Sequence, residues 1–214
     1  KRLANLNLHY GDTIVVRKAG EIIPEVIRVI KELRINNAKI VKLPKRCPEC
    51  DSQLIKENNE AVTRCMNTKC PAKLKGLLLH WVSKGSMNID GIGEKIINQL
   101  VNQGYVKSIA DLYKLELKSL LHLERFGEKS AQSILKKVQE SINTIWHKQL
   151  YGLGIPHIGE ANAKSLAKEF LSIEDLAFAA KESPEEIINV YGIGSEIVDE
   201  IINWFNDINN QNLI

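Results

Sequence analysis

Apolar residues recur at the three- and four-residue spacing of amphipathic helices through the last two-thirds of the chain, where β-branched runs are almost absent. This pattern predicts a helical region from residue 73 onward. Its clearest helices are predicted over Glu94 to Val101, Glu128 to Val138, Glu160 to Phe170 and Ser195 to Phe205. Trp81, Trp146 and Trp204 also fall within predicted amphipathic helices, where we expect core positions rather than stacking platforms for bases. The run Ser183-Pro184-Glu185-Glu186 predicts one more helix start, with a capping box.

Each of the four predicted helices follows a similar short stretch of sequence. The stretches are Ile89-Asp90-Gly91-Ile92-Gly93-Glu94-Lys95, Leu123-Glu124-Arg125-Phe126-Gly127-Glu128-Lys129, Ile155-Pro156-His157-Ile158-Gly159-Glu160-Ala161 and Val190-Tyr191-Gly192-Ile193-Gly194-Ser195-Glu196. Their final glycines stand at positions 93, 127, 159 and 194, at intervals of 34, 32 and 35 residues. Such a period fits two short helices and their connections per unit, so we predict four repeats of helix, turn and helix.

The glycines of these stretches suggest a chemical role for the turns. Glycine permits the positive φ of a tight turn, which we expect at both glycines of the first and fourth stretches, and it lets a ligand approach the backbone. The apolar residue between the glycines should pack into the helix pair. The free N–H groups at the start of the second helix, together with its dipole, then form a cradle for phosphate. One such turn is more often a plain helix corner, but four in register favour phosphate binding. The predicted DNA contacts of this region are Gly91, Gly93, Gly127, Gly159, Gly192 and Gly194, with Lys95 and Lys129 as auxiliaries.

The second and third stretches differ from the other two at one position. Arg125 and His157 stand where the first and fourth stretches have their first glycine. Two interpretations remain open. Either these turns are degenerate and serve only for packing, or they contact DNA in a different way.

The first 43 residues alternate turn-forming residues with β-branched runs. Gly11 to Ile27 predicts a strand, a turn and a strand, and further β character follows at Val26 to Ile30 and at Lys39 to Leu43. The simplest interpretation is a small β unit without a binding role. The alternative is part of a small barrel that contacts a nucleic-acid backbone through Arg17 and Lys18. Three or four short strands do not close a barrel, so we expect a fragment that lacks upstream strands.

All four cysteines lie between residues 47 and 70, as a C-x2-C pair and a C-x4-C pair separated by fourteen residues. Disulfides would suit a secreted domain, but the sequence shows no leader pattern, so we expect reduced thiols in the cytosol. A redox C-x-x-C would require a βαβ context, and an iron–sulfur cluster a different cysteine spacing. The spacing therefore predicts a structural Zn²⁺ site that stabilises a segment with few large apolar side chains. Its ligands are Cys47, Cys50, Cys65 and Cys70.

Composition adds one feature to this picture. The 214 residues are 44% hydrophobic and 26% charged, which is ordinary for a globular protein and excludes a disordered or membrane-embedded chain. The net charge of +3 divides unevenly, because residues 1–72 hold 14 Lys and Arg against 8 Asp and Glu, and residues 73–214 hold 15 against 18. The basic surplus marks the first third as a candidate surface for a polyanion. The helical region would have to hold a phosphate through its amides rather than through bulk charge.

The order of these parts resembles the C-terminal half of the bacterial NAD⁺-dependent DNA ligases. The likeness covers essentially the whole chain: the β segment GDTIVVRKAGEIIPEV, the cysteine segment from CPEC to RCMNTKCPA, and the stretches KGLLLHWVSKGSMNIDGIGEK, LERFGEKSA and YGLGIPHIGE. It implies a mostly α fold with a small β part: partial OB-fold strands, a zinc finger, and then a tandem helix-hairpin-helix domain of four units. The implied domain boundaries are 1–43, 44–72 and 73–214.

The resemblance also implies a function. These ligases seal nicks in three steps: a lysine attacks NAD⁺ and becomes adenylated, AMP passes to the 5′ phosphate, and the 3′ hydroxyl displaces AMP. The lysine lies in a K-x-D-G motif that this sequence lacks, its nearest match being Asn88-Ile89-Asp90-Gly91. We therefore expect the DNA-gripping part of a ligase for replication and repair, without catalytic residues of its own. It would bind Zn²⁺, while NAD⁺ and Mg²⁺ would serve the full-length parent.

The implied partners are nicked double-stranded DNA and an adenylation domain of the same polypeptide that is missing here, as are the family's nicotinamide-binding and BRCT domains. We expect a monomer in the bacterial cytoplasm, associated with the nucleoid and not with a membrane. A second interpretation is a free-standing repair or junction-binding module of tandem hairpins without catalysis. A third is a zinc-containing protein-interaction domain, which predicts that duplex DNA does not bind at moderate salt.

Overall fold

The computed structural model describes residues 5–20, 23–56 and 62–211. Helices form most of the described secondary structure, and two small antiparallel sheets form the rest, so the predicted fold class is confirmed. The chain divides into two compact units, Lys1–Asn67 and Thr68–Ile214. In the described part, no helix combines the length and the apolar character needed to cross a bilayer.

A β-hairpin is the main element of the first unit. Strand β1 (Ile14–Ala19) pairs antiparallel with β2 (Ile23–Val29), and the register shifts near the start of β1. A 3-10 turn at Lys31–Leu33 follows. The hairpin confirms the strand–turn–strand prediction for residues 11–27, although residues 21–22 of the turn lie outside the described part.

The β character predicted at Lys39 to Leu43 is reduced to one isolated bridge. His9 and Ile40 pair antiparallel, and the amide of Tyr10 donates to the carbonyl of Lys39 at 2.9 Å. The amide of Val41 also donates to the carbonyl of Leu8 at 2.8 Å. The predicted β character is therefore present around Ile40, but within the described residues it does not extend into a strand over Lys39 to Leu43.

A second, smaller sheet follows in the first unit. Strand β3 (Leu54–Ile55) pairs antiparallel with β4 (Arg64–Cys65), and Arg46 and Gln53 form an isolated bridge. Residues 57–61, between the two strands, lie outside the described part. This pairing brings Cys65 of β4 close to the first cysteine pair.

An ion pair between the segments that flank the hairpin was not predicted from the sequence. Arg34 donates to both carboxylate oxygens of Asp12, at 2.7 and 2.9 Å, and to the carbonyl of Asn7 at 2.8 Å. The Asp12 side chain is 1% exposed and also accepts from the amide of His9 at 2.7 Å. The hydrogen bond from Arg34 is the main cause that lowers the pKa of Asp12 below its usual value. The carboxylate is therefore charged at neutral pH and joins the chain before β1 to the chain after β2.

The second unit is helical in its described residues. Its helices are α1 (Pro71–Val82), α2 (Glu94–Asn102), α3 (Ile109–Leu112), α4 (Leu117–Leu121), α5 (Glu128–Ser141), α6 (Trp146–Gly152), α7 (Glu160–Glu169), α8 (Ile173–Glu182), α9 (Pro184–Ile188), α10 (Ser195–Asn206) and α11 (Ile208–Gln211). The four predicted helices are α2, α5, α7 and α10, and each begins at the predicted residue, directly after a glycine. Their helical periodicity is used to bury one face in a shared core.

This apolar core is continuous through the second unit. Its fully buried members include Leu78 of α1, Leu120 of α4 and Ile201 of α10. Every large aliphatic side chain removed from water in this way contributes about 1.5–3 kcal/mol to the hydrophobic driving force. The core therefore fixes the relative positions of the helices and of the turns that join them.

The three tryptophans lie in this core or at its edge. Trp81 and Trp204 are buried, and Trp146 is partly buried against the core. Trp81 Nε1 donates to the hydroxyl of Tyr113 at 3.1 Å, and Trp146 Nε1 donates to the carbonyl of Phe170 at 2.8 Å. The ring N–H groups of Trp81 and Trp146 are thus satisfied inside the protein. The burial of all three rings in or against the core confirms the prediction that the tryptophans serve packing.

The helix start predicted at Ser183 is present, but its capping box is not. Helix α9 begins at Pro184, and no side chain caps it. The amide of Ser183 donates to the carbonyl of Ala179 at 2.9 Å, and the amide of Glu186 donates to the carbonyl of Ser183 at 2.9 Å. Because Ser183 also ends α8, both amides of the expected box already have backbone partners. The prediction of a box was wrong.

Candidate metal centre and nucleic-acid interface

The four predicted zinc ligands come together. The Sγ atoms of Cys47, Cys50, Cys65 and Cys70 all lie within 4.8 Å of one another, and none of them forms a disulfide. A tetrahedron of sulfurs at about 2.3 Å from Zn²⁺ has edges of about 3.8 Å, which matches the size of this cluster. Four sulfur donors complete the coordination of the metal. The donor set therefore fits a structural Zn²⁺ rather than a catalytic one.

A tight turn sets the spacing of the first cysteine pair. The amide of Asp51 donates to the carbonyl of Cys47 at 2.9 Å, and the amide of Cys47 donates to the carbonyl of Ser52 at 2.8 Å. Asp51 has a φ of 55°, a left-handed conformation that aspartate adopts more readily than most residues, and its carboxylate pairs with Arg46. These bonds hold Cys47 and Cys50 within chelating distance.

The Cys50 thiol is placed to ionise. Its Sγ lies 3.3 Å from Ser52 Oγ and 3.5 Å from Cys65 Sγ. Hydrogen bonding from Ser52, first through its hydroxyl and then through its amide, lowers the pKa of Cys50 to about 6, and Asn67 contributes less. The thiolate is the form that binds metal, so Cys50 is a ready ligand at neutral pH.

Each of the four glycine stretches forms a turn between two helices. The helix pairs are α1 and α2, α4 and α5, α6 and α7, and α9 and α10. The apolar residue before the final glycine is buried in three of the turns, as Ile92, Ile158 and Ile193, and Phe126 of the second turn is partly buried against the core. The prediction that this residue packs into the helix pair is confirmed.

The backbone geometry corrects one expectation about the glycines. Gly91 and Gly192 have positive φ values of 97° and 88°, as predicted. Gly93 and Gly194 instead are extended N-caps of α2 and α10, with φ values of −104° and −100°. The expectation of positive φ was wrong for these two, because the turn requires one left-handed residue while an N-cap residue is typically in the β region.

The final glycine of every turn leaves the start of the following helix without a side-chain cap. No side chain caps α2, α5, α7 or α10, whereas Ser108 and Ser172 cap α3 and α8. Side-chain caps are also lacking at α1, α4, α6 and α9, but no glycine precedes those helices. A Cβ placed on the glycine before α2, α5, α7 or α10 would meet no atom within 4 Å. These glycines are Gly93, Gly127, Gly159 and Gly194.

The consequence for anion binding follows from helix geometry. The first amides of a helix have no carbonyl partner within the helix, and the dipole makes this end positive. In the four turns, the N-cap residue is a glycine whose Cβ position lies in open space, so no protein atom covers that position within 4 Å. This is the arrangement that backbone binding of an anion requires.

Arg125 and His157 take the same left-handed conformation as the glycines they replace. Their φ values are 59° and 62°. This conformation costs a residue with a Cβ roughly 1–2 kcal/mol. Both residues are exposed, so their side chains do not serve packing. The second and third turns therefore keep the backbone geometry of the other two.

Charged side chains of both signs surround the turns. The first helical residue is acidic in three turns and serine in the fourth: Glu94, Glu128, Glu160 and Ser195. Exposed lysines, Lys95 and Lys129, follow in the first two, whereas α10 has no Lys or Arg. Glu160 accepts from Lys164 at 2.6 Å, and this hydrogen bond is the main cause that lowers the pKa of Glu160. Because side-chain charge is mixed, the amides are the feature that all four turns share.

The two basic residues singled out in the first unit lie next to each other on β1. Arg17 pairs with Glu25 of β2, with Nη2 3.2 Å from Oε2. Both Arg17 and Lys18 are exposed. Successive side chains of a strand point to opposite faces, so the structure does not bring these two cations together.

Comparison with known families gives the predicted order along the chain: an OB-fold segment, a zinc finger and then helix-hairpin-helix units. Residues 1–38 match the family described as NAD-dependent DNA ligase OB-fold domain, and residues 46–72 match the NAD-dependent DNA ligase C4 zinc finger domain. Residues 87–140 match the SAM-like helix-hairpin-helix tandem, and residues 148–214 match the helix-hairpin-helix motif. The C4 finger match contains all four cysteines and agrees with the geometry of the donor set.

Similar proteins cover the whole chain. It is 72% identical over 214 residues to a DNA ligase of Prochlorococcus marinus (strain NATL2A), and 55% identical over 213 residues to that of strain MIT 9303. It is also 55% identical over 213 residues to a DNA ligase of Synechococcus sp. (strain CC9605). The chain spans 31% of the length of each of these relatives. The chain is therefore similar to about a third of the length of each of these DNA ligases, and its matches to the OB-fold, C4 zinc finger and helix-hairpin-helix models follow one another along the chain.

Proposed function

We propose that the helical unit holds DNA by its sugar–phosphate backbone. The observation that carries this proposal is the set of four helix starts that have no side-chain cap, are preceded by glycine and face open space. Phosphate oxygens accept hydrogen bonds from such amides, and the helix dipole favours their negative charge. The proposed contacts are Gly91, Gly93, Lys95, Gly127, Lys129, Gly159, Gly192 and Gly194, with Arg17 and Lys18 in the first unit.

Contacts of this kind determine how binding depends on sequence and salt. Phosphates carry no base identity, so binding should tolerate any sequence. Lys95 and Lys129 would each displace counterions from the DNA, so affinity should fall as salt rises. The amides add hydrogen bonds without adding charge, which suits a helical region whose Asp and Glu outnumber its Lys and Arg.

For the longer protein we propose the activity of its relatives, the sealing of nicks in duplex DNA with NAD⁺ and Mg²⁺. No K-x-D-G motif occurs in this chain, so the adenylated lysine would come from outside residues 1–214. Within the chain, residues 1–43 would act as part of the OB-fold domain, residues 44–72 as the zinc finger, and residues 73–214 as the helix-hairpin-helix domain. In the reaction, the chain would hold the DNA substrate.

The DNA that we propose is nicked duplex, bound by a monomer during replication and repair. The proposed location is the bacterial cytoplasm, at the nucleoid. A nick leaves duplex on both sides of the break, and four turns spread over the helical unit can contact backbone at several points. Sedimentation of the purified chain alone and with one equivalent of duplex measures the stoichiometry, for which we expect one chain per nick.

Binding of labelled duplexes to the purified chain tests this proposal. We expect fluorescence anisotropy to show binding of nicked duplex, with log affinity falling linearly against log salt. Radiolabelled NAD⁺ should leave no AMP on the chain, because a covalent nucleotide requires the missing lysine. Failure to bind duplex at low and moderate salt would overturn the DNA-binding proposal. Covalent AMP on the chain would overturn its non-catalytic role.

A further inference from the structure

Charge is distributed unevenly within the helical unit. Residues 73–170 contain 14 Lys and Arg and 9 Asp and Glu, whereas residues 171–214 contain one lysine and nine Asp and Glu. Seven of these nine acidic side chains are exposed, and the other two are half-buried. A surface of this charge repels a polyanion and attracts cations. Outside the fourth turn, the surface of α8 to α11 therefore favours a cationic partner.

An apolar groove lies in the same region. Its apolar lining comprises Ala177 and Ala180 of α8 and Ile202 and Phe205 of α10. The volume of the groove is about 210 Å³. Because an apolar cavity of about 150 Å³ holds a benzene ring, the groove has room for one large apolar side chain.

Two exposed apolar side chains extend this surface. Phe178 is 67% exposed and Ile208 is 69% exposed. Phe178 lies one helical turn before Lys181, and Ile208 lies one turn before Gln211; both of these later residues line the groove. A single exposed apolar residue needs no explanation, but two that neighbour an apolar groove form a candidate contact surface.

The charge next to the groove is negative. The exposed residues Glu174 and Asp199 each lie one turn before a residue of the groove, on the same faces of α8 and α10. The groove also lies in the C-terminal halves of both helices, where the helix dipole is negative. Lys181 opposes this charge, but its Nζ lies 2.9 Å from Glu182 Oε1. The groove is therefore suited to a partner that combines apolar and cationic side chains.

We propose that this groove docks a cationic amphipathic helix of a partner protein. An apolar side chain of that helix would enter the groove, and its neighbours would pack on Phe178 and Ile208. Lysine or arginine side chains of the helix would face Glu174 and Asp199. Amphipathic helices bind apolar grooves in this way, through side chains spaced three or four residues apart. This docking is separate from the proposed binding of DNA, which uses the glycine turns.

A synthetic fluorescent peptide provides the probe. It comprises about five helical turns, with leucine on the apolar face and lysine elsewhere. Fluorescence anisotropy with the purified chain, in the absence of DNA, should show saturable binding that weakens as salt rises. A peptide of the same composition in scrambled order keeps the charge but has no apolar face. It should bind roughly fivefold more weakly, because the apolar anchor is lost.

Variants of the groove should change the affinity for this peptide in both directions. Phe178→Ser removes an exposed apolar contact and should weaken binding roughly fivefold. Asp199→Asn should weaken it about twofold, as for a surface ion pair. Lys181→Glu should instead tighten binding, because the opposing cation is removed. Ile142→Ser and Glu185→Gln change exposed residues that do not line the groove, and they should leave the affinity unchanged.

The position of the bound peptide is measured by NMR. Amide chemical shifts of Ala177, Ala180 and Asn206 should change on binding, and circular dichroism checks that each variant is folded. Absence of binding, equal binding of the scrambled peptide, or equal effects of groove and control variants would overturn the proposal. If the chain alone sediments as a dimer that Phe178→Ser dissociates, a second copy occupies the groove, and the proposal is overturned as well.

Discussion

The two units are stabilised in different ways. In the second unit, apolar side chains from α1 to α10 form one continuous core. In the described part of the first unit, only Val29 and Cys47 are buried among the hydrophobic residues. Several large apolar side chains there are more than half exposed: Tyr10, Ile23, Leu33, Ile35, Leu43 and Val62.

Specific polar links take the place of apolar burial in the first unit. The Asp12–Arg34 pair fixes the chain on either side of the hairpin, and the thiols of Cys47, Cys50 and Cys65 offer metal ligands. Such links depend on pH and on metal, whereas an apolar core does not. The same conditions should therefore affect the two units differently.

The largest effect is expected from loss of the metal. The purified chain should contain one Zn²⁺, and removing it with a chelator, or changing Cys47 to Ser, should abolish the order of residues 46–56 and 62–67, because little apolar burial holds them. Helix α5 should keep its protection, since its buried face lies in the apolar core. Hydrogen exchange with mass spectrometry measures both. Unchanged protection of residues 46–56 without metal would contradict this account.

A cavity in the core should weaken the second unit strongly. Ile201 is fully buried, so Ile201→Ala should lower the free energy of unfolding by about 2–5 kcal/mol. Tyr191, which is 92% exposed, provides the control, and Tyr191→Ala should change it by about 0.5 kcal/mol or less. Urea unfolding followed by circular dichroism measures both variants. Equal effects would mean that apolar burial is not what distinguishes this unit.

A smaller loss is expected from crowding the core at one glycine. A Cβ on Gly152 would overlap Ser86 Oγ and lie 2.9 Å from Trp81 Cε3. Ser86 is fully buried with its hydroxyl donating to the carbonyl of Lys148 at 3.4 Å, and Trp81 is buried as well, so Gly152→Ala should cost about 1–3 kcal/mol. Gly159→Ala, whose Cβ would meet no atom within 4 Å, is the matched control and should be close to neutral. The same urea series separates the two, and a neutral Gly152→Ala would show that this part of the core yields easily.

The smallest effect should come from the ion pair of the first unit, and it should depend on pH. The pKa of Asp12 is lowered in the folded chain, mainly by the hydrogen bond from Arg34. Its contribution is therefore complete above the unfolded pKa, about 3.9, and is lost as the pH falls through the lower folded value. The stability difference between the parent and Asp12→Asn should be largest at neutral pH and shrink below about pH 4. Thermal unfolding over a pH series measures it, and a difference independent of pH would exclude the charged pair as its cause.

Local patterns in the sequence predicted much of this architecture. The starts of α2, α5, α7 and α10 follow from a glycine before a helical period, and the metal ligands follow from cysteine spacing. The Asp12–Arg34 pair joins residues 22 positions apart, so no local pattern indicates it. The extended conformation of Gly93 was missed because glycine permits either sign of φ. The left-handed backbone of Arg125 was missed because the pattern shows that glycine is replaced but not that the turn is retained.

The central claim is that backbone amides, kept accessible by glycine, hold the DNA. Gly93→Ala tests it most directly, because φ at this position is −104° and the added Cβ would meet no protein atom, so the fold is not disturbed. Measured over a salt series, its affinity for nicked duplex should fall at every salt concentration with an unchanged slope, whereas Lys95→Ala should flatten the slope by about 0.9. If folded Gly93→Ala binds as tightly as the parent while Lys95→Ala does not, side-chain charge rather than the amides holds the DNA, and the claim is wrong.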